Sequence, residues 1–555
     1  MQKSIIYQML PRLWGSYNNK SIKNGSLAEN GCGKFSNIDK DSLEYIKWLG
    51  CSHIWYTGII RHSTQEEIAD CPASHIDLVK GKAGSPYAIC DYYDVNPYLA
   101  DNPKNRMAEF ESLIRRTHKA GLKVIIDYVP NHVARDYGKV GFVQEGRRPK
   151  LGENDDKSVH WSRNNDFFYY PGQSLVLPSN NAEIPYEENP AMATGNNCFN
   201  ANPGINDWYE TIKINYCDTY SPTWDKMLDV LMFWAEKGVD GFRCDMVELV
   251  PEQFLEWAIS QVKALYPDVI FIAEVYNKEN YRKYIKEVGF DLLYDKDGLY
   301  DTLRSIVEKN VNDNGMPIEL WQSTTGITRN WQMLGDLQPY MLNFIENHDE
   351  QRFASDFFGK DAKNTLAPLY VSLYMNVAPF MIYFGEEIGE RGMDEEGFSG
   401  LDGRTTIFDW WQIDSMHRLI KLVKSKAYKT LDINKITEVG LSKTEAIAFC
   451  KFAETIRYAR SENAINKGTI YDLCYSNLGA NGFDKDRHFI FLRDCEENTL
   501  LIAANFSKKE ANMQIKIPHH AFEWMGIPIN EELNLDKIIE VNVAPMGGTI
   551  IKICC

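Results

Sequence analysis

The hydrophobic positions in the first two-thirds of the chain repeat one arrangement: an amphipathic helix, a glycine or proline, and then a short apolar strand. Residues 106–120 show it clearly, because their apolar side chains recur at helical spacing on one face. These side chains are Met107, Phe110, Leu113 and Ile114. Gly121 stands where a left-handed helix end is wanted, and the apolar run 124–129 follows as a predicted strand.

The same arrangement recurs at three other places. Helical spacing covers 41–49, 225–237 and 252–266, and an apolar run follows each of them. The strands predicted after these helices, together with the remaining apolar runs, are 1–10, 53–56, 239–245, 269–273, 290–294, 341–345 and 380–384. Strands that alternate with helices form right-handed βαβ units and a parallel sheet.

Two architectures fit this alternation. A doubly wound open sheet usually carries a glycine-rich phosphate loop after its first strand, and the sequence has no such loop there. The length of the alternating region fits a barrel better. We therefore predict an α/β fold, a (β/α)₈ TIM barrel, and keep the open sheet as the alternative.

Two regions break the alternation and predict additional domains. Residues 133–215 are rich in Asn, Gly, Pro and aromatic residues and are too long for an ordinary loop, which predicts a domain inserted after strand 3. From residue 465 short alternating strands replace the helices, which predicts a C-terminal antiparallel β-sandwich over 465–555. The barrel is then made of residues 1–132 and 216–464.

Charge and composition exclude several classes of protein. The chain has 555 residues and a net charge of −17, and it has no dense run of Lys or Arg. Nucleic-acid binders need a basic surface, so no nucleic-acid partner is expected. No apolar run reaches the roughly 18 residues that span a membrane, so no membrane partner is expected either.

The cysteines and the first ten residues indicate the cellular compartment. The 12 cysteines include no CxxC pair, which is typical of free thiols in a reducing compartment. The first ten residues have too short an apolar run for a signal peptide. We expect a cytoplasmic protein, or a secreted or periplasmic one if a presequence has been removed. The sequence does not predict the oligomeric state.

Charged residues stand at the ends of four predicted strands, where barrel enzymes carry their reacting groups. These segments are Asp127–His132, Gly241–Asp245, Ile272–Glu274 and Phe344–Asp349. One acid at a strand end more often caps a helix or forms a surface ion pair, and Asp127 could serve only as a structural partner of Arg243. Four strand ends with charged residues in one barrel indicate that these residues form one functional site.

Strand geometry relates the two acids at the ends of strands 4 and 5. Arg243 and Asp245 are two residues apart and point to the same side, which predicts that they face the barrel axis. Arg243 would keep Asp245 ionised, whereas the hydrophobic run before Glu274 would keep that residue protonated, as a general acid requires. Neighbouring strands lie about 4.8 Å apart, so the carboxyls can approach the roughly 5–5.5 Å of a retaining glycosidase.

These four segments resemble the four conserved regions of the α-amylase family of glycoside hydrolases, in the same order. The segment Ser85–Pro97 is similar to the family's stretch ahead of the first region, in which a tyrosine, here Tyr87, stacks on the sugar. The resemblance covers nearly the whole chain. It implies a barrel with an inserted domain B and a C-terminal sandwich.

The resemblance also implies a role for each residue. Asp245 would be the nucleophile, Glu274 the proton donor and Asp349 the stabiliser of the transition state. Arg243 would orient Asp245. The residues implied to bind the substrate are Tyr87, Asp127, His132, Arg243 and His348.

Two features bear on metal binding. Asn131 matches the family's calcium-ligand asparagine, so the resemblance implies a possible structural Ca²⁺ there, with partners in domain B that the sequence does not identify. Many α-amylases carry Lys-His after the nucleophile, but here Asp245 is followed by Met246-Val-Glu248. That departure leaves the usual calcium geometry in doubt. No other cofactor is expected.

The expected activity is retaining hydrolysis of α-1,4-glucosidic bonds in starch, glycogen or maltooligosaccharides. A transglycosylase with the same covalent intermediate is the alternative within the class, and a non-catalytic glucan-binding protein is the alternative outside it. The aromatic residues Trp161, Trp410 and Trp411 and the segment 167–170 are candidates for outer sugar contacts, or for loop cores.

Overall fold

The structure is a computed structural model that describes residues 2–15, 21–138, 148–178, 182–312, 315–393, 397–495, 498–527 and 538–553. Its largest sheet has eight parallel strands. In chain order they are β1 (Ile5–Met9), β2 (His53–Tyr56), β3 (Lys123–Tyr128), β4 (Gly241–Cys244), β5 (Ile270–Ala273), β6 (Leu292–Tyr294), β7 (Met341–Leu342) and β8 (Phe380–Tyr383). The ends of these strands lie within four residues of the predicted ends.

The eight strands close into a barrel. Each strand pairs with its neighbour in chain order, and β1 also pairs in parallel with β8, with Ile5 opposite Phe380. Asn343, just beyond β7, bridges to Phe380 and joins the two ends of the sheet. The (β/α)₈ prediction is therefore confirmed, and the open-sheet alternative is wrong.

Helices alternate with these strands along the chain. The main ones are α1 (Lys40–Leu49), α2 (Arg106–Lys119), α3 (Pro222–Glu236), α4 (Glu252–Leu265), α5 (Asp301–Val311), α6 (Thr325–Leu334), α7 (Leu366–Tyr374), α8 (Asp414–Ser425), α9 (Ile433–Glu438) and α10 (Lys443–Ser461). Between β5 and β6 the chain makes shorter helical turns over Tyr281–Lys283 and Tyr284–Val288. Helix α1 ends at Gly50, whose φ of +111° is a left-handed conformation that favours glycine.

The segment between β3 and α3 forms small antiparallel pairs instead of one ordinary loop. His132–Ala134 pairs with Thr211–Lys213, and Tyr169–Tyr170 pairs with Ala191–Met192. The first pair starts four residues after β3 ends, so it carries His132 and Lys213 to the carboxyl end of the barrel. This inserted segment is called domain B below.

The C-terminal part is an antiparallel sandwich. Four strands, β9 (Thr469–Asp472), β10 (His488–Cys495), β11 (Asn498–Asn505) and β14 (Gly548–Ile553), form one sheet, and β12 (Ala511–Ile515) pairs with β13 (Ile539–Val543). Helix α11 (His519–Met525) lies between β12 and β13. An apolar cluster between the two sheets includes Leu492, Leu501, Met513 and Val541. The alternating pattern predicted this architecture correctly.

Two further properties concern the thiols and the membrane. The ten cysteines in the described part of the chain are unpaired, and Cys554 and Cys555 lie outside it. Among the described helices, none combines the length and the apolar character that crossing a bilayer requires.

Candidate active site

The carboxyl ends of β3, β4 and β5 bring the charged residues together. In the parallel register Arg243 stands opposite Asp127, and Cys244 stands opposite Ala273. Asp245 and Glu274 each follow one residue later, so they leave adjacent strands at the same level. Both carboxyl groups are buried. The sequence-predicted acids of strands 4 and 5 are therefore neighbours.

Arg243 lies between these two acids. Its Nη1 is 2.5 Å from Asp245 Oδ1, and its Nη2 makes an ion-pair contact of 2.9 Å with Glu274 Oε1. The guanidinium has no solvent-exposed surface, and aromatic rings of Trp55, Tyr87 and Tyr294 surround it at 5.3–5.5 Å. A buried cation is tolerated when it is paired and contacts ring faces, and both conditions hold here.

Glu274 receives donors from the loops as well. The backbone N–H of Met246 donates to Glu274 Oε2 at 2.8 Å, and the Tyr276 hydroxyl donates to Oε1 at 2.7 Å. Met246 has φ +45° and ψ +42°, a strained left-handed conformation for a non-glycine residue. That conformation turns its N–H toward the carboxyl, and such strain concentrates at functional sites.

The electrostatics differ from the sequence-based expectation, which paired Arg243 with Asp245 alone and kept Asp245 ionised. Burial and the nearby Glu274 raise the pKa of Asp245 well above its usual range, while Arg243 lowers it. One guanidinium serves two carboxyl groups, so a second ionisation next to the first is disfavoured. The guanidinium partly offsets the repulsion between the two carboxyl groups.

Asp349 reaches the same site through His348. His348 Nε2 lies 3.2 Å from Asp349 Oδ2 and 2.5 Å from the Tyr87 hydroxyl. Burial and Arg243 lower the pKa of His348 well below its usual range, so the ring is neutral. Burial and Glu274 raise the pKa of Asp349 to about 7. Asp349 keeps 39% of its side-chain surface exposed, and that part faces the pocket described below.

Tyr87 and Asp127 form the wall beside Arg243. The Tyr87 hydroxyl lies 3.4 Å from Asp127 Oδ1, and the N–H of Gly58 donates to Asp127 Oδ2 at 3.1 Å. Burial raises the pKa of Asp127 to about 6, against the effect of Arg243. Asp127 thus contacts both Tyr87 and the loop after β2.

A cavity of about 350 Å³ joins these groups. Asp245, Glu274 and Asp349 all line it. The predicted residues Tyr87 and His132 are on its wall, together with the unpredicted Lys80, Trp208, Glu210 and Tyr276. Burial lowers the pKa of His132 to about 3, so this ring is neutral too. Arg243, His348 and Asp127 lie behind the lining residues and contact them.

Of these unpredicted residues, only Tyr276 carried a signal in the sequence. It stands two positions after Glu274, and the alternation of an extended chain places such residues on one side. Lys80, Trp208 and Glu210 come from loops. Lys80 Nζ lies 2.9 Å from Glu210 Oε2, an ion pair that no local pattern indicates.

The aromatic candidates for outer contacts separate into two groups. Trp410 and Trp411 are buried, so they form a loop core. Trp161 is 52% exposed and lines a different cavity in domain B. Phe167 and Tyr169 are buried.

The side chain of Asn131 already has a cationic partner. Its Oδ1 accepts a hydrogen bond from the ammonium of Lys213, which also donates to the carbonyl of Leu249 at 2.6 Å. The described residues contain no group of three or more His, Cys, Asp or Glu side chains placed to hold a metal. The residues around Asn131 therefore do not fit a calcium ion.

Comparison with known proteins identifies the family. The model of the α-amylase catalytic domain matches residues 19–444, which is most of the chain. The chain belongs to the α-amylase family. This match confirms the resemblance to the family, and the four segments on which the resemblance rests meet at the cavity.

Two relatives place the chain within the family. Neopullulanase 2 of Thermoactinomyces vulgaris is 24% identical over 356 residues, which are 63% of this chain and 49% of that protein. An α-1,4-glucan:maltose-1-phosphate maltosyltransferase of Cereibacter sphaeroides is 41% identical over 273 residues, 47% of this chain and 32% of that protein. The chain thus matches about half, or less, of the length of these curated relatives.

A solved structure agrees over nearly the full length. A maltogenic α-amylase from Thermotoga neapolitana superposes with a TM-score of 0.58 and 19% identity, covering 99% of this chain and 96% of that chain. At that identity the agreement concerns the fold. It supports the order of barrel, inserted segment and C-terminal sandwich.

Proposed function

We propose that this α-amylase family member is a retaining α-glucan hydrolase that cleaves α-1,4-glucosidic bonds in starch, glycogen or maltooligosaccharides. The observation that carries the proposal is the guanidinium of Arg243 between Asp245 and Glu274, at the wall of a cavity that Asp349 also lines. Retaining cleavage needs two carboxyl groups beside one sugar ring, one charged and one holding a proton. Here the two carboxyl groups leave adjacent strands at the same level and share one guanidinium.

The first half of the reaction uses both acids. Asp245 attacks the anomeric carbon and forms a glycosyl-enzyme intermediate, while Glu274 gives its proton to the leaving oxygen. Arg243 supports the charge on Asp245 and keeps the two carboxyl groups at fixed positions. The positive charge that develops on the sugar ring is stabilised by the carboxylates, including Asp349, in a site largely shielded from solvent.

The second half reverses the proton transfer. Glu274, now a carboxylate, takes a proton from water, and the hydroxide attacks the anomeric carbon and releases Asp245. The donors from Met246 and Tyr276 stabilise Glu274 in this charged form. His132 is a neutral ring on the cavity wall and can donate a hydrogen bond to a sugar hydroxyl, whereas His348 lies behind the wall and contacts Asp349 and Tyr87. Tyr87 supplies an aromatic face.

The test replaces Glu274 by Gln, which keeps the shape of the side chain and removes the acid. We expect turnover of maltooligosaccharides to fall by about 10²–10⁴-fold, because proton transfer is lost. Cleavage of α-maltosyl fluoride should fall much less, because fluoride leaves without a proton. Glu256→Gln on the exposed face of α4 is the matched control. Equal turnover of maltooligosaccharides by Glu274→Gln and wild type would sink the proposal and favour a non-catalytic glucan-binding protein.

Transglycosylation is the second candidate, and the similarity to the maltosyltransferase favours it. The same intermediate would then react with a sugar hydroxyl in place of water. Incubation with maltoheptaose separates the two reactions. Products longer than the substrate indicate transfer, and only shorter products indicate hydrolysis.

A further inference from the structure

Lys213 stands at the junction of domain B and the barrel. It belongs to the strand Thr211–Lys213 and lies opposite His132 in the antiparallel register. Its side chain is buried, and its ammonium reaches Asn131 Oδ1 from one side and the Leu249 carbonyl from the other. Asn131 follows β3 and Leu249 follows β4. One side chain thus connects domain B to the loops after two barrel strands.

The amide of Asn131 has only one orientation that satisfies its neighbours. Its Nδ2 donates to the carbonyl of Gly195 at 2.8 Å and lies 3.0 Å from His132 Nδ1. Both hydrogens are therefore used, and Oδ1 has to face Lys213. An ammonium carries three donors and no acceptor, so it complements the two oxygens that meet at this point.

A calcium ion requires a different environment. Ca²⁺ takes 6–8 oxygen ligands, usually with several carboxylates. Here the two oxygens already accept from Nζ, and the described residues supply no acidic cluster at which the ion could bind. A cation brought to Asn131 would also meet the Lys213 amine, which is charged below the pKa of about 7 to which burial lowers it, and two positive charges repel strongly at short range.

We propose that the ammonium of Lys213 takes the place of a calcium ion at Asn131, so that this chain joins domain B to its barrel without a metal. The lysine also keeps Asn131 turned so that Nδ2 faces His132. Nδ1 of His132 then accepts that hydrogen bond, and its Nε2 carries the proton. Lys213 is accordingly a positioning residue for the wall of the cavity.

The first test measures the wild-type protein with metal removed and added. Thermal unfolding and amide hydrogen exchange are followed in excess EDTA and in excess CaCl₂. We expect the same unfolding midpoint in both solutions, and equal exchange in the segments around Asn131 and Leu249. A loss of protection in these two segments in EDTA, restored by CaCl₂, would overturn the proposal.

The second test removes the amine. Lys213→Met keeps most of the apolar stem but leaves Asn131 Oδ1 and the Leu249 carbonyl without a donor. We expect faster exchange in both segments, a lower unfolding midpoint that CaCl₂ does not restore, and partial recovery in Lys213→Arg. Lys363→Met is the control, because Lys363 is 73% exposed. If Lys213→Met keeps the wild-type unfolding midpoint and the wild-type exchange, the amine does not stabilise the junction between domain B and the barrel, and the proposal is wrong.

Discussion

The side-chain amide of Gln8 determines which nitrogen of His348 carries the proton. Gln8 Nε2 lies 2.8 Å from His348 Nδ1 and 3.1 Å from the Thr57 hydroxyl, and the side chain is fully buried. The amide donates to Nδ1, so the neutral ring holds its hydrogen on Nε2. That hydrogen faces Asp349 and Tyr87. A residue on β1, outside the four motif segments, therefore controls a group at the cavity.

Replacing Gln8 by Leu should lower kcat/KM by about tenfold, because the loss of one hydrogen bond of about 1–1.5 kcal/mol frees the ring of His348. The measurement combines initial rates on maltooligosaccharides with ¹⁵N NMR of the imidazole, which reports the tautomer. The prediction fails if the variant keeps both the Nε2–H tautomer and the wild-type rate.

Asp349 gives a prediction about pH. Its pKa is about 7 in the folded protein and 3.8 in the absence of the fold, so the folded state binds more protons between these values. Its contribution to stability is therefore complete below pH 3.8 and is lost as the pH rises through 7. Asp349→Asn removes this loss, although it removes activity as well.

We expect Asp349→Asn to unfold at a higher temperature than wild type at pH 8, with a difference that shrinks to nothing near pH 4. Thermal unfolding across this pH range measures it. Asp356→Asn, at a side chain that is 78% exposed, should follow the wild-type curve. A difference between Asp349→Asn and wild type that stays constant with pH would contradict the assignment.

At the scale of elements, the loop after β5 depends on one carboxylate from the loop after β4. Glu248 Oε2 accepts from the N–H of Tyr276 at 2.8 Å and from that of Asn277 at 3.3 Å, and its Oε1 accepts from Asn280 Nδ2 at 2.8 Å. Tyr276 in turn donates to Glu274. Glu248 thus orders the loop that carries Tyr276 to Glu274.

Glu248→Ala should loosen residues 275–280 and lower kcat by about tenfold, because Tyr276 no longer keeps its position against Glu274. Hydrogen exchange of this segment and steady-state kinetics measure the two effects. Glu256→Ala, on the exposed face of α4, should change neither. Unchanged exchange in 275–280 would show that the loop does not depend on Glu248.

The sequence predicts the barrel elements well because their signals are local. Helical spacing before Gly50 and Gly121, followed by an apolar run, is sufficient to place β2 and β3. The positions of Asp245 and Glu274 follow, since each ends a strand. The contacts of Arg243 with Glu274 and of Lys213 with Asn131 join segments 31 and 82 residues apart, and no periodicity reports such pairs.

At the scale of the whole molecule, a buried arginine joins the C-terminal sandwich to the barrel. Arg493 on β10 donates to the carbonyls of Ala464, Ile465 and Met375 at 2.9–3.0 Å. It is 1% exposed, and burial lowers its pKa to about 9. Met375 follows α7, so the guanidinium connects a strand of the sandwich with a helix of the barrel.

Arg493→Met should lower the free energy of unfolding by a few kcal/mol. Each of three buried carbonyls loses its donor, at a cost of about 1–3 kcal/mol. The removal of a buried charge offsets part of this loss. We also expect the sandwich and the barrel to unfold in separate transitions, seen by differential scanning calorimetry. Lys552→Met, on the exposed side of β14, is the control. A single transition at the wild-type temperature would show that other contacts are sufficient.

The pairing of β1 with β8 has a consequence for folding during synthesis of the chain. Ile5 leaves the ribosome early, but its partner Phe380 is synthesised far later, which at about 5–20 residues per second is a wait of tens of seconds. During that time one edge of β1 has no neighbour, and its side chains, all of which are buried in the folded protein, have no closed interior. Nascent chains of this protein should therefore need protection from association until the eighth strand emerges.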